Sequence, residues 1–248
     1  MNDRCRIGTS GWIYPHWRGV FYPDTLAERE WYHYYAAHFD TVEINYSFYR
    51  LPSEAAFDRW RSQSPPGFVY SIKANRYLTH LRRLKDVEAP LERFLFRVRR
   101  LGDRLGAILW QLPPRWSADV ARLKSFAALL PPELHHAFEF RDPSWFSPAV
   151  YAVLQQFGLG CCIFHMPGIA CPLWVTGRVI YLRFHGTAAE YCGRYGEEEL
   201  TPWAARIRDW LAAGHVVYAY FNNDAWGHAV QDALLLRQLI GQSVSSQL

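Results

Sequence analysis

The 248-residue sequence has no apolar run of transmembrane length, and a strand pattern begins at Arg4, so a secretory leader is not expected. Its five cysteines, Cys5, Cys161, Cys162, Cys171 and Cys192, are odd in number and show no C-x-x-C spacing. That argues against a disulfide framework or structural zinc site and for a reducing compartment. Cys161 and Cys162 are adjacent, so on a strand they face opposite sides and make a poor vicinal redox pair. No G-x-G-x-x-G turn follows the first strand, which weighs against a Rossmann fold. No linker or second domain is visible. Charged residues are a moderate 20% against 50% hydrophobic, a balance from which disorder is not expected. A soluble, cytoplasmic protein with no membrane partner is expected.

Charge of one sign is also scarce. The net charge is +4, but between Arg76 and Arg104 nine Lys/Arg face four Asp/Glu, a local +5 that leaves the rest of the chain at −1. Such a band is ordinarily a solvated loop and helix face, with an anionic partner as the alternative. Aromatics are abundant at 17%, with 11 Trp, enough to build a core and still line a pocket.

Apolar runs and helical periodicities alternate along the chain. Strands are expected at Arg4–Ser10, Thr41–Asn45, Phe68–Ala74, Ala107–Leu112, Ala137–Arg141, Gly160–His165, Val179–Gly186 and Val216–Phe221. Helix starts are expected at Ser53, near Pro90, at Ser117, at Ser147-Pro148 and at Thr201-Pro202, where caps and first-turn prolines stand. A first helix fits Trp31–Phe39 and a last one about Gly227–Ile240. Met166–Gly177 is short and carries two prolines, so its helix is expected to be rudimentary or missing. Eight strands about thirty residues apart, alternating with helices, require parallel pairing. The expectation is a single-domain α/β protein, a (β/α)₈ TIM-type barrel over residues 1–242, with a polar tail at 243–248.

In such barrels chemistry sits at the C-terminal strand ends. Those ends carry Thr9 and Ser10, Glu43 and Asn45, Ser71, Lys73 and Asn75, Gln111, Glu139 and Arg141, His165, Arg183 and His185, and Asn222 or Asn223. Glu139 beside Arg141, and Glu43 beside Lys73 on the next strand, could neutralise one another in a structural network. Buried ion pairs gain little over an apolar core, however, so this many polar strand ends points to a pocket.

The segments GTSGW (Gly8 to Trp12), VEINYSFY (Val42 to Tyr49), KANRYLTH (Lys73 to His80), FEFRDPSW (Phe138 to Trp145), YLRFHG (Tyr181 to Gly186) and YAYFNND (Tyr218 to Asp224) resemble the YecE-like family, domain of unknown function 72. The resemblance spans almost the whole chain. It implies a TIM-type barrel whose pocket these motifs share, but it supplies no reaction. At Asp142 the family pattern more often has histidine, so no role is carried over to that side chain.

The first expectation for function is an enzyme, an acid/base hydrolase, lyase or isomerase, acting on a phosphorylated or carboxylated small molecule. Arg183 would bind the anion, Glu43 and Glu139 would serve as acid/base groups with His185, and Lys73 as electrophile or Schiff-base amine. Thr9, Ser10, Trp12, Asn45, His80, Gln111, Arg141, Trp145, Gly186, Asn222 and Asn223 would contact substrate. Trp110 and Trp226 also stand near strand ends, with core packing as their alternative. Gly186, Gly193 and Gly196 would let the strand-seven loop wrap an anion, where barrels often hold phosphate. No cofactor is implied. A divalent metal on Glu43, Glu139, His165 and His185 is a narrower alternative, as is two-carboxylate glycosidase chemistry. The other class is a non-catalytic ligand- or nucleic-acid-binding protein using the Arg76–Arg104 band, Arg82 and Arg83 included, with the aromatic loops.

Overall fold

Val179–Phe184 (β7) and Val216–Phe221 (β8) are buried at every position, as β-branched and aromatic runs covered on both faces should be. They pair in parallel from Val179 opposite Val216 to Phe184 opposite Phe221. In the computed structural model, which describes residues 3–242, six further strands extend this pair. They are Cys5–Thr9 (β1), Thr41–Ile44 (β2), Val69–Lys73 (β3), Leu105–Gln111 (β4), His135–Glu139 (β5) and Gly160–His165 (β6). The ladder order is β1-β8-β7-β6-β5-β4-β3-β2, parallel throughout. Each strand therefore lies beside its sequence neighbour, and the expected TIM-type barrel is what forms.

The seam between β1 and β2 has no backbone ladder among the described residues. A Cβ on Gly8 would stand 2.4 Å from the Thr41 carbonyl oxygen, an approach only glycine allows. The buried Tyr35, on helix Trp31–His38 (α1), stitches the gap. Its hydroxyl accepts the Thr9 N–H at 3.1 Å and donates to the Thr41 carbonyl at 3.0 Å.

The remaining helices are Tyr46–Tyr49 (α2), Glu54–Gln63 (α3), Glu88–Val98 (α4), Val120–Ala127 (α5), Pro148–Gln156 (α6), Gly196–Ala212 (α7) and His228–Leu239 (α8). Ser53 and Ser147 cap α3 and α6 as expected, accepting from Ala56 and Val150 N–H. Two starts differ. The α5 cap is Asp119, which accepts from Arg122 N–H, and not Ser117. Helix α7 begins at Gly196, leaving Pro202 inside the helix, because the Asp232 carboxylate of α8 accepts the Tyr195 and Gly196 N–H groups and anchors an earlier first turn. No helix forms between β6 and β7, as the two prolines suggested. Helix α2 and a π-helical turn at Tyr77–Leu81 were not expected.

The core has two layers. Outward strand residues such as Ile7, Val42, Ile72, Trp110, Phe138, Ile163 and Leu182 meet the helices. On α4 the inward Leu91, Phe94, Leu95 and Val98 supply that contact, each contributing about 1.5–3 kcal/mol on burial. Inside the barrel a smaller cluster includes Ala107, Leu109, Ala137, Cys162, Val179, Tyr181 and Tyr218. No helix is long and apolar enough to cross a membrane among the described residues. The tail at 243–248 lies outside those residues.

Candidate functional site

Continuing the inward parity of that inner cluster toward the C-terminal ends brings Glu43, Lys73, Gln111, Glu139, Arg141, Phe164, Arg183, His185 and Asn222 to one mouth, with Ser10 joining from β1. Arg183 is the centre, 1% exposed. One guanidinium nitrogen donates to Glu43 Oε1 at 2.7 Å and another to Glu139 Oε2 at 2.8 Å, so one cation joins β2, β5 and β7 across the barrel. The fork geometry of arginine makes this double contact possible.

Both carboxylates are fully buried and held ionised. Burial pushes the Glu43 carboxyl up, but Arg183 and the hydroxyls of Ser10 and Tyr181 (2.7 Å each) outweigh it, leaving its pKa below the usual range. For Glu139 burial is likewise outweighed by Arg141, Arg183 and His185, and its pKa lies well below the usual range. Glu139 Oε1 accepts from Arg141 Nε, and Oε2 from Arg183. Charged acceptors this well satisfied are poor proton donors or bases near neutral pH. The acid/base roles expected for Glu43 and Glu139 do not suit this geometry. Neither does direct anion binding by Arg183, whose two terminal nitrogens are engaged.

Arg141 also donates to His185 Nε2 at 3.0 Å. Since arginine can only donate, Nε2 holds the lone pair and the proton sits on Nδ1, which requires the Asn222 side-chain amide, 3.3 Å away, to turn its oxygen toward the ring as acceptor. Burial and the Arg183 charge lower the His185 pKa to about 4, so the ring is neutral. The last Arg141 nitrogen meets Met166 Sδ and the half-exposed Glu190 carboxylate from the strand-seven loop, at 3.1 and 3.3 Å.

Lys73 differs from these groups. Its Nζ stands 4.4 Å from the centroid of the Phe48 ring, and among the described residues no carboxylate oxygen lies within 4.0 Å of it. Glu43, the partner its neighbouring position suggested, pairs with Arg183 instead. Burial, then the Arg183 charge, lowers the Lys73 pKa to about 8. His80 packs edge-on to the same Phe48 ring at 4.8 Å. Its Nδ1 lies 2.8 Å from the Thr79 hydroxyl, and burial with the Lys73 and Arg76 charges lowers its pKa to about 4.

Other candidates stand elsewhere. Thr9 is buried on the outward side of β1 against Tyr35. His165 also faces outward, bonded through Nδ1 to Tyr195 at 2.9 Å, so the four proposed metal ligands do not converge. No group of three His, Cys, Asp or Glu is placed to hold a metal ion among the described residues. Asn223 donates to Asp232 and the Gly193 carbonyl. Asn75 ties the two neighbouring loops together through the Ser47 carbonyl. Trp145 is sealed against Trp116 and Phe140, and Trp110 is buried outside the barrel wall, while Trp226 is 81% exposed. Asp142 serves locally, accepting from the Ser144 N–H and hydroxyl.

The strand-seven loop is not an open anion cradle. Gly186 has φ +114°, and a Cβ there would meet the Cys192 carbonyl oxygen at 2.0 Å, so its glycine serves the loop's own return. Its N–H donates to the Tyr195 hydroxyl, Thr187 and Ala188 donate to Cys192, and the α7 start is taken by Asp232. Glu197, Glu198 and Glu199 add negative charge there. Beside the mouth, Trp12, Tyr14, Asn45, Tyr46 and Trp60 line a cleft of about 360 Å³; Asn45 Oδ1 is buried without a hydrogen-bond partner among the described residues.

Tyr181 was missed although it shares the parity of Arg183, a signal the same period-two rule could have used. Phe48, on the short helix α2, and Glu190, on the strand-seven loop, carry no such signal, because neither lies on a strand.

Comparison with known proteins agrees with this architecture. The profile of the family described as protein of unknown function DUF72 matches residues 6–247. The chain is 25% identical over 268 residues to UPF0759 protein YunF of Bacillus subtilis, covering 94% of each. It is 31% identical to UPF0759 protein YecE of Escherichia coli over 142 residues, 57% of this chain and 50% of that one. A DUF72 family crystal structure from Thermotoga maritima superposes with a TM-score of 0.85 at 28% identity, covering 95% of this chain and 98% of the other. Another from Enterococcus faecalis, at 18% identity, shares the fold with a TM-score of 0.80, covering 98% and 99%. With the family profile matched across nearly its full length, the chain belongs to the DUF72 family.

Proposed function

We propose that this protein is an enzyme acting on a small anionic molecule, phosphorylated or carboxylated, at the C-terminal mouth of the barrel. One observation carries the reading: among the described residues Lys73 has no carboxylate partner, beside a network whose two carboxylates are already engaged by Arg183 and Arg141. Inside the barrel three cations face two anions, and a substrate anion completes the balance. Glu190 supports this, because a loop carboxylate already reaches Arg141 from the solvent side and a ligand carboxylate or phosphate can take that place. Titrating phosphorylated and carboxylated metabolites by calorimetry tests the reading, with Lys73→Met alongside. At least one anion should bind, and the variant should bind it at least tenfold more weakly. An absence of anion binding, or equal affinity in the variant, refutes it.

A second reading, single-stranded nucleic acid binding, is favoured by exposed Tyr46, Tyr49 and Tyr77 on the β2 and β3 loops, where Arg50 and Arg76 also stand. The whole Arg76–Arg104 band does not serve it. Helix α4 carries the band away from the mouth, and Arg99, Arg100 and Arg104 pair with Glu133, Asp58 and Asp103. Salt-dependent oligonucleotide binding that is lost in Tyr46→Ser/Tyr49→Ser supports this reading, and unchanged binding removes it.

A further inference from the structure

We propose that Lys73 forms an imine: its Nζ condenses with the carbonyl carbon of a small aldehyde or ketone that also bears a carboxylate or phosphate. The inference rests on the proposed function, since the same mouth must first admit the anion.

Three features of the mouth carry it. Lys73 terminates a buried strand, so its side chain rises from a fixed point, and the Phe48 face shields Nζ on one side at 4.4 Å. No carboxylate within 4.0 Å among the described residues fixes it as an ion-pair partner. The third feature is residue choice. Of 27 basic residues only Lys73, Lys85 and Lys124 are lysines, and the latter two are exposed. Arginine fills the two mouth positions that pair with carboxylates, whereas an amine occupies the position without one. A guanidinium stays charged and cannot attack a carbonyl; an amine can lose its proton and do so. Burial and the Arg183 charge bring that proton's pKa to about 8, so about a tenth of the amine is neutral at pH 7.

The step balances without a redox partner. The neutral amine's lone pair forms a C–N bond while the carbonyl π pair moves to oxygen. A proton then passes from nitrogen to oxygen, the C–O bond breaks after a second protonation, and water leaves a protonated imine. Water carries both protons, because His80, with its pKa lowered to about 4, is too weak a base to take one near neutral pH.

The test incubates the full-length protein with glyoxylate, pyruvate or glyceraldehyde 3-phosphate and sodium cyanoborohydride, followed by intact-mass measurement and peptide mapping. At least one probe should give a single saturable adduct on Lys73, at least tenfold faster than on Lys85 or Lys124. Its rate should rise with pH toward about 8, and Lys73→Arg, which keeps the charge, should abolish it. Calorimetry with the same probes separates the two ideas. Probes that bind without marking Lys73, or that mark all lysines equally, overturn the imine and leave the anion site standing. No binding of any anion, these probes or the metabolites above, overturns both.

Discussion

Replacing Arg183 by Met is the sharpest test of how the barrel mouth is held together. The side chain is 1% exposed and bridges two fully buried carboxylates. Removing one partner of a buried ion pair costs about 3–5 kcal/mol, because the remaining charge is uncompensated. Glu139 keeps Arg141, so the stranded group is Glu43, left with the Ser10 and Tyr181 hydroxyls alone. The lower end, about 3 kcal/mol, is therefore expected. For a chain of this length that is about 6–12 °C in melting temperature, readable by calorimetry and urea unfolding. Adding Glu43→Gln should restore at least about 1 kcal/mol, since a neutral amide replaces the stranded charge. The pH dependence should reverse as well. In the native protein Glu43 and Glu139 have depressed pKa values, so their stabilisation is present above the unfolded carboxylate pKa and lost as pH falls through the folded one. In Arg183→Met the desolvated Glu43 titrates above its unfolded value, so the variant's deficit should grow as pH rises from about 4 toward 7. A loss under about 1 kcal/mol, or no rescue by Glu43→Gln, refutes the bridging account.

Tyr35→Phe removes the hydroxyl stitching the β1–β2 seam and should cost about 1–3 kcal/mol, with faster hydrogen exchange at the Thr9 amide; unchanged exchange would mean the seam closes without it. Gly186→Ala places a methyl at 2.0 Å from the Cys192 carbonyl at φ +114°, so the strand-seven loop must open, seen as proteolysis near Cys192 at unchanged α-helix content. His80, His136 and His185 are each desolvated and held to a pKa of about 4. Each folded value lies below the unfolded value of about 6.5, so their stabilisation is intact above pH 6.5 and lost between there and pH 4. NMR of the three rings should show no titration above about pH 5, and a midpoint near 6.5 in the folded protein contradicts their burial.

The strands, their number and parallel order were legible because each is a run of β-branched and aromatic residues separated by helical periodicity, and local composition suffices to mark such runs. The missing helix after His165 was legible for the same reason, since prolines cannot donate to a helix. Polar residues collecting at the C-terminal strand ends could also be read directly. Which of two adjacent residues enters the barrel could not: Ser10 and Asn222 face inward, Thr9, His165 and Asn223 outward. That parity is set by register around a closed sheet. Pair identity was hidden too. Glu43 stands beside Lys73 in strand order, yet Arg183 reaches it from across the barrel, 140 residues away in sequence. The sequence by itself determined the strands and the charges they carry. Only the closure of the sheet decided which charges meet, because short-range electrostatics depends on distances through space, and this leaves Arg183 between two carboxylates and Lys73 without one.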